Sequence, residues 1–141
     1  MPVQLSAQQA LDIFPTLWAY IGHLVEENVF NPLGEGDFKD MLASGKAIPF
    51  IEVQAGEIVG CAIVRPIHYP TGWVAEIIYG EADATDIWEK GLEAVEQWAR
   101  KHKMSAVEVN GRIGWERLLR AKEYSKILVV MRKPLTDGKQ D

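Results

Sequence analysis

The sequence predicts an α+β fold in which a mixed sheet of about six strands carries helices on both faces. Three β-branched and aromatic segments follow one another through the middle of the 141-residue chain, and short turns separate them. A long amphipathic helix follows these segments, and a further strand follows that helix. The element order is β-α-α-β-β-β-α-β-α-β, which is typical of an antiparallel meander that continues into a right-handed crossover.

The first elements are a short strand and a helix. Val3 to Leu5 forms the strand, and Ser6 with Gln9 has the spacing of a capping box for a helix that begins at Ala7. Pro15 interrupts the helical pattern. The helix therefore either kinks there or ends and restarts with Pro15 in its first turn.

A second short helix and the meander come next. The helix runs from Phe38 to about Ser44 and ends at Gly45. The strands of the meander are Ile48 to Gln54, Ile58 to Arg65, and Trp73 to Tyr79. Because their connections are short, consecutive strands are expected to pair antiparallel.

The clearest helix in the sequence has one unbroken apolar face with Asp86 and Glu89 placed as its N-cap and N3 residues. Ala106 to Asn110 forms the strand after it, which should lie parallel to the third strand of the meander. The face consists of Trp88, Gly91, Leu92, Val95, Trp98 and Ala99.

The last elements are a helix from Trp115 to about Ala121 and a strand from Lys126 to Arg132. Residues 136–141 form a polar tail, which leaves residues 1–135 as one predicted domain. The longest apolar run, Ile127 to Met131, is far below the roughly 20 residues that a membrane span needs. The N-terminal residues predict no signal peptide, and Cys61 alone permits no internal disulfide, so a cytoplasmic location is expected.

The charge is unevenly distributed along the chain. The formal net charge is -5, from 15 basic and 20 acidic residues. Residues 1–99 carry four basic and fifteen acidic side chains, whereas residues 100–141 carry eleven basic and five acidic ones. Either the basic part binds an anionic partner or the two parts neutralise each other in the fold, and the absence of any run of five like charges favours neutralisation.

Several segments resemble the GCN5-related N-acetyltransferase family, abbreviated GNAT. Leu92 to Arg100 is similar to the central helix of the family, and Val107 to Asn110 is similar to its fifth strand with the polar residue that follows. Gly111 to Leu119 resembles a segment of short GNAT-like proteins encoded by tailed bacteriophages. The resemblance implies an acetyl-CoA-dependent N-acetyltransferase. The alternative is a GNAT-like binding or structural module without catalysis, such as a phage accessory or internal virion protein, located in the host cytoplasm or the virion.

In that family the pantetheine arm of acetyl-CoA pairs with the fourth strand, and the pyrophosphate lies on a Q/R-x-x-G-x-G/A loop that opens the central helix. Asp86 and Trp88 fall where the two glycines are expected, and Glu81 and Asp83 add two further carboxylates. Each carboxylate near a pyrophosphate costs on the order of a kcal/mol or more. The sequence therefore predicts a degenerate pyrophosphate loop. The cofactor-binding residues that the resemblance implies are Ile77, Ile78, Tyr79, Asp86, Ile87, Trp88 and Asn110.

The resemblance also implies a general base on the fourth strand and a proton donor for the departing thiolate. Glu76 is the candidate base, because burial between Ala75 and Ile77 would raise its pKa, and the alternative is an outward-facing carboxylate. The position of the usual tyrosine donor falls near Leu119, which cannot donate a proton, so Tyr79 is the candidate acid.

No metal site is predicted, because the three histidines are scattered along the chain and Cys61 has the setting of a small buried residue. No membrane partner and no nucleic acid are expected. A basic patch around the last helix is the candidate contact for a protein partner, or else a solvated face that pairs with neighbouring glutamates. The patch consists of Arg112, Arg117, Arg120 and Lys122.

Overall fold

The computed structural model describes residues 2–27, 33–110, 115–127, 131–133 and 135. The chain divides into two compact units, Met1–Gly111 and Arg112–Asp141. The first unit contains every element of the sheet that is described below. Its elements are β1 (Val3–Gln4), α1 (Ala7–Asp12), α2 (Phe14–Glu26), α3 (Glu35–Ser44), β2 (Ile48–Gln54), β3 (Glu57–Tyr69), β4 (Gly72–Ala82), α4 (Thr85–Lys101) and β5 (Ala106–Val109).

Nearby residues determine where the three helices that precede β2 begin and end. Ser6 and Gln9 form the predicted capping box, in which the backbone N–H of Gln9 donates to Ser6 Oγ over 3.1 Å. Pro15 stands in the first turn of α2, so the second of the two alternatives for this proline is confirmed. Helix α3 begins three residues before the predicted Phe38 and ends at Gly45, whose φ of 78° is the left-handed conformation that glycine adopts easily.

The described residues form a five-stranded sheet in the order β1-β2-β3-β4-β5. Strands β2, β3 and β4 are the antiparallel meander, and β4 pairs parallel with β5, as the sequence predicts. Strand β4 extends three residues beyond the predicted Tyr79, because Gly80 to Ala82 continue the ladder with β3. The α+β class with a mixed sheet is therefore confirmed, with five strands in place of about six.

The helices cover both faces of the sheet. Successive residues of a strand point to opposite faces. In β3, Cys61 belongs to the core formed with α1, α2 and α3, whereas a Cβ on Gly60 would point to Ile87 of α4. Helix α4 also packs Trp98 edge-on against Phe50, with ring centroids 5.8 Å apart.

The predicted start of α4 is wrong. Ala84 is the N-cap residue, so Asp86 lies inside the first turn and Glu89 lies beyond the N3 position. No side chain caps the helix, because the ladder of β4 with β3 extends to Ala82 and leaves Asp83 and Ala84 alone to connect strand and helix.

The second unit contains one described helix, α5 (Glu116–Arg120), with Trp115 as its N-cap. The predicted strand from Lys126 to Arg132 falls partly on Leu128 to Val130, which lie outside the described residues, and the described residues on either side are not in a strand. The predicted tail, residues 136–141, also lies outside the described residues. The single domain over 1–135 stays a prediction.

Gly60 allows α4 to approach the sheet closely. A Cβ at this position would lie 2.7 Å from Ile87 Cγ2, so Gly60→Ala is expected to lower the free energy of unfolding by about 1–3 kcal/mol through overpacking. Gly91 is the matched control, because a Cβ there meets no atom within 4 Å and alanine should stabilise the helix by about 0.5–1 kcal/mol. Urea unfolding of both variants checks the opposite signs, and a neutral Gly60→Ala would contradict the close packing.

Candidate active site

Strands β4 and β5 part at the site. Their parallel pairing ends at Ile77 and Val109, and the N–H of Asn110 makes the last bond to the Ile77 carbonyl over 3.0 Å. Strand β4 continues to Ala82, and among the described residues no strand pairs with this extension on the β5 side. We call the opening beside residues 78–82 of β4 the strand gap. Within the described part of the chain, the backbone N–H and C=O groups of this extension that point away from β3 face the gap, as an extended ligand would require.

A β-bulge lies at the mouth of the strand gap. Ile63 pairs with Tyr79 and Val64 pairs with Ile77, so Ile78 is the extra residue in β4. Because a bulge shifts the alternation of side chains by one position, Glu76 and Tyr79 point to the same face of the sheet. That face is the one that α1, α2 and α3 cover farther along, since Tyr79 belongs to their core.

Glu76 is buried, with 7% of its surface exposed, so the outward-facing alternative is wrong. The premise of apolar surroundings is also wrong, because both carboxylate oxygens have polar partners. Arg65 donates from Nε and Nη2 to Oε1 over 2.9 and 2.5 Å, and Asn110 donates from Nδ2 to Oε2 over 2.9 Å. The carboxylate is therefore held in one orientation at the point where the two strands part.

A second carboxylate stands beside Glu76 on the neighbouring strand. Glu108 is the register partner of Glu76 across β4 and β5, and it accepts a 3.4 Å hydrogen bond from the Tyr69 hydroxyl. The negative charge of Glu108 is the main cause that raises the pKa of Tyr69, so this hydroxyl stays protonated and remains a donor. We call Arg65, Glu76, Glu108, Asn110 and Tyr69 the polar row. It carries two carboxylates for one guanidinium, and this excess of negative charge suits a cationic ligand.

Tyr79, the candidate acid, lies in the aromatic core. It is 8% exposed, and its ring meets Phe38 edge-on with centroids 6.1 Å apart. Burial raises the pKa of Tyr79, and the charge of Arg65 offsets part of that effect. The phenol therefore stays protonated at neutral pH, as a donor must, and its role as the acid stays a prediction.

The acidic end of β4 is tied to α2. Tyr20 donates from its hydroxyl to Asp83 Oδ1 over 2.9 Å, and His23 Nε2 lies 3.0 Å from Glu81 Oε2. Burial, together with the hydrogen bond to Asp83, raises the pKa of Tyr20, so its hydroxyl remains protonated. These carboxylates are therefore engaged by the chain's own side chains.

The other predicted cofactor residues lie at the start of α4. Asp86 is the acidic residue of its first turn, Ile87 is buried against the sheet at Gly60, and Trp88 is half-buried. Asp83 and Ala84 connect strand and helix, so Asp86 and Trp88, at the two glycine positions of the family pattern, lie within the first turns of α4. The junction of β4 with α4 thus carries the carboxylates of Asp83 and Asp86, and the cofactor role of these residues stays a prediction.

The structure does not bring the remaining candidates together. Within the described residues, no helix is long and apolar enough to cross a membrane, and no group of three potential metal ligands occurs. Burial raises the pKa of the Cys61 thiol, which lowers its reactivity. In the basic patch Arg120 pairs with Glu116 over 3.3 Å, and Arg112 lies outside the described residues. A protein partner for this patch stays a prediction.

The fold is similar to that of solved acetyltransferases over nearly the whole chain. An aminoglycoside acetyltransferase from an uncultured soil metagenomic sample, in complex with sisomicin, matches with a TM-score of 0.72 at 16% identity, covering 96% of this chain and 95% of that one. The ribosomal-protein-alanine N-acetyltransferase of Brucella melitensis biovar Abortus 2308 gives 0.67 at 14%, covering 94% and 99%. A GNAT family acetyltransferase of Staphylococcus aureus gives 0.65 at 11%, covering 96% and 98%. The chain therefore has the fold of GNAT acetyltransferases.

No protein-family model and no curated protein matches the sequence. Because one fold hosts many functions, the fold alone does not determine the activity of the chain. The resemblance to phage-encoded proteins stays a prediction.

Sequence reasoning missed the partners of Glu76. The strand pattern predicts Arg65 only as the last residue of a strand, and the resemblance implies a cofactor role for Asn110. The signal that could have found the ion pair is the hairpin itself, since antiparallel strands joined by a short turn place residues at fixed partner positions. The hydrogen bond of Tyr20 with Asp83 and the contact of His23 with Glu81 join residues 63 and 58 positions apart, so no local sequence pattern indicates them.

Proposed function

We propose that the chain is an N-acetyltransferase that transfers the acetyl group of acetyl-CoA to an amine. The observation that carries the proposal is the strand gap, which opens directly beside the buried carboxylate of Glu76. A thioester with its pantetheine arm along the open backbone of β4 would bring its acyl group close to this carboxylate. The GNAT fold of the solved neighbours supports the same conclusion.

The chain's own residues supply a general base and a means of placing the acceptor. Acetyl-CoA supplies an acyl group activated as a thioester. Glu76 accepts a proton from the attacking nitrogen, a contribution of about 10²- to 10⁴-fold in rate when the base is positioned. Glu108 and Tyr69 lie beside it, so an amine that arrives as an ammonium ion meets a carboxylate and a hydroxyl. The acceptor class that we propose is therefore a cationic amine.

Two solved neighbours suggest the first acceptors to test. One is named an aminoglycoside acetyltransferase and another a ribosomal-protein-alanine N-acetyltransferase. An aminoglycoside and a peptide with an N-terminal alanine are thus reasonable probes for this chain, together with simple diamines.

A second candidate function is a GNAT-like binding module without turnover. The acidic start of α4 favours it, because Glu81, Asp83 and Asp86 would oppose a pyrophosphate there. In this case Tyr20 and His23 serve to hold the acidic end of β4 closed against α2.

Titration calorimetry with acetyl-CoA and with acetyl-pantetheine separates the two functions. If the strand gap binds the arm and the loop opposes the phosphates, both thioesters bind in a range up to about 1 mM with similar affinity. Asp86→Asn should increase the affinity for acetyl-CoA several-fold, because it removes a repulsion on the order of a kcal/mol. The affinity for acetyl-pantetheine should not change. The exposed Glu57→Gln is the matched charge control. The absence of heat with both thioesters would remove the acetyltransferase proposal and leave the binding module.

A further inference from the structure

The carboxylate of Glu76 has nearly all of its hydrogen-bonding positions filled. An ionised carboxylate offers about four acceptor positions, two on each oxygen. Arg65 fills both positions of Oε1, from Nε and Nη2, and Asn110 fills one position of Oε2. One position remains open, on Oε2, among the partners that the described residues provide.

Both partners are placed by the backbone of the sheet. Arg65 is the register partner of Glu76 across β3 and β4, so their side chains leave the same face side by side. Asn110 is fixed by its own N–H, which makes the last bond between the parting strands to the Ile77 carbonyl. Its side-chain amide therefore reaches Oε2 from the side of β5.

We propose that Arg65 and Asn110 are positioning residues, which together leave Glu76 with a single acceptor position on the Oε2 side. The inference rests on the proposed acetyltransferase function. Arg65 offsets the cost of burying the carboxylate charge, and it commits Oε1. Asn110 turns Oε2, so that its open position is where the acceptor N–H must arrive. Oε2 then takes one proton from the acceptor nitrogen, and the nitrogen keeps the electron pair with which it attacks the thioester carbonyl. As the C–N bond forms, the C–S bond breaks, and the sulfur leaves with its electron pair as the thiolate.

The charged and titratable groups near this carboxylate come from three strands. Arg65 and Tyr69 belong to β3, Tyr79 to β4 and Glu108 to β5. Arg65 supplies the positive charge beside the carboxylate, and Glu108 adds a negative one. Lys46, which precedes β2, lines a pocket together with Arg65. Loss of the guanidinium would therefore leave two neighbouring carboxylates, one of them buried, which makes the ionised form of Glu76 less favourable.

The test compares Arg65→Gln and Arg65→Lys with the wild-type chain. In Arg65→Gln the acid limb of the kcat/KM profile should move to higher pH by about one unit or more, and kcat should fall while KM changes little. Arg65→Lys keeps a cation, so the acid limb of its kcat/KM profile should return most of the way to the wild-type pH. The lysine cannot fill both positions of Oε1. Asn110→Ala should lower kcat and move the acid limb less than Arg65→Gln does, because the amide stabilises the carboxylate through one hydrogen bond and carries no charge. Lys101→Gln, in the last turn of α4, is the control for the loss of an exposed cation elsewhere.

A second measurement does not depend on turnover. The ¹³C shift of the Glu76 carboxyl, followed by NMR against pH, should show the same upward displacement of the midpoint in Arg65→Gln, and urea unfolding verifies that each variant is folded. A midpoint and an acid limb that stay within about 0.2 units of wild type would overturn the positioning role of Arg65. Wild-type protein that acetylates none of the amines, with the midpoint displaced in Arg65→Gln, would instead refute the acetyltransferase proposal and retain the charge effect.

Discussion

Glu76→Gln is expected to reduce kcat/KM for acetyl transfer by about 100-fold or more, because the glutamine amide cannot accept the proton of the acceptor nitrogen. The substitution keeps the shape of the side chain and leaves a carbonyl oxygen that still accepts from Arg65. Binding of the thioester should therefore change little, and the loss should appear in kcat. Steady-state kinetics with acetyl-CoA and a cationic amine measure both quantities.

Two further variants are controls for this interpretation. Glu108→Gln should mainly raise KM for the cationic amine, since Glu108 is proposed to hold the positive charge rather than the proton. Glu57→Gln removes an exposed carboxylate at the start of β3 and should have no effect. If Glu76→Gln retained activity within about threefold of wild type, the pair of Glu76 with Arg65 would be structural, and the base would have to be another group.

Phe38→Ala is expected to lower the free energy of unfolding by about 3–5 kcal/mol, the largest change in stability that we expect from a single substitution. Phe38 is fully buried at 0% exposure, and its ring lies 6.0 to 6.3 Å from those of Phe14, Trp18 and Tyr79. The substitution removes an aromatic ring from the junction of α2, α3 and the sheet, where little can move to fill the space. Urea or guanidinium unfolding, followed by tryptophan fluorescence, measures the loss.

Phe38→Leu serves as the graded control, because it keeps most of the apolar volume and should cost clearly less. Val53→Ala removes a side chain that is 47% exposed and should stay within about 0.5 kcal/mol of wild type. A loss below about 1 kcal/mol for Phe38→Ala would mean that this aromatic cluster does not form the centre of the core.

The parts of the fold that short-range signals determine could be predicted from the sequence. The bounds of β2, the capping box at Ser6 and the restart at Pro15 agree with the structure. Each depends on residues within one or two turns or along one alternating segment. The parallel pairing of β4 with β5 was also predictable, since a strand, a long helix and a strand join right-handed in nearly all proteins.

The candidate site could be predicted only in part. Glu76 was identified as the candidate base, but its partners Arg65 and Asn110 depend on the register of two strand pairs. Asp86 was a reasonable N-cap by residue type, yet the strand continues so far that Ala84 takes that place. The residue preference for N-cap positions predicts a helix start poorly where the end of the preceding strand fixes the first residue of the helix.

Because Ile78 is an extra residue in β4, the number of residues in this strand decides which side chains share the face of the site. Glu76 and Tyr79 are an odd number of positions apart, so without the bulge they would occupy opposite sides of the sheet. Straightening the strand at its present length would turn Tyr79 away from Phe38, or else reverse every side chain before it, Glu76 included, whereas deleting Ile78 would leave a regular ladder with both side chains on one face. In a strand of this length, the bulge is therefore what places the aromatic core and the buried carboxylate on the same face of the sheet.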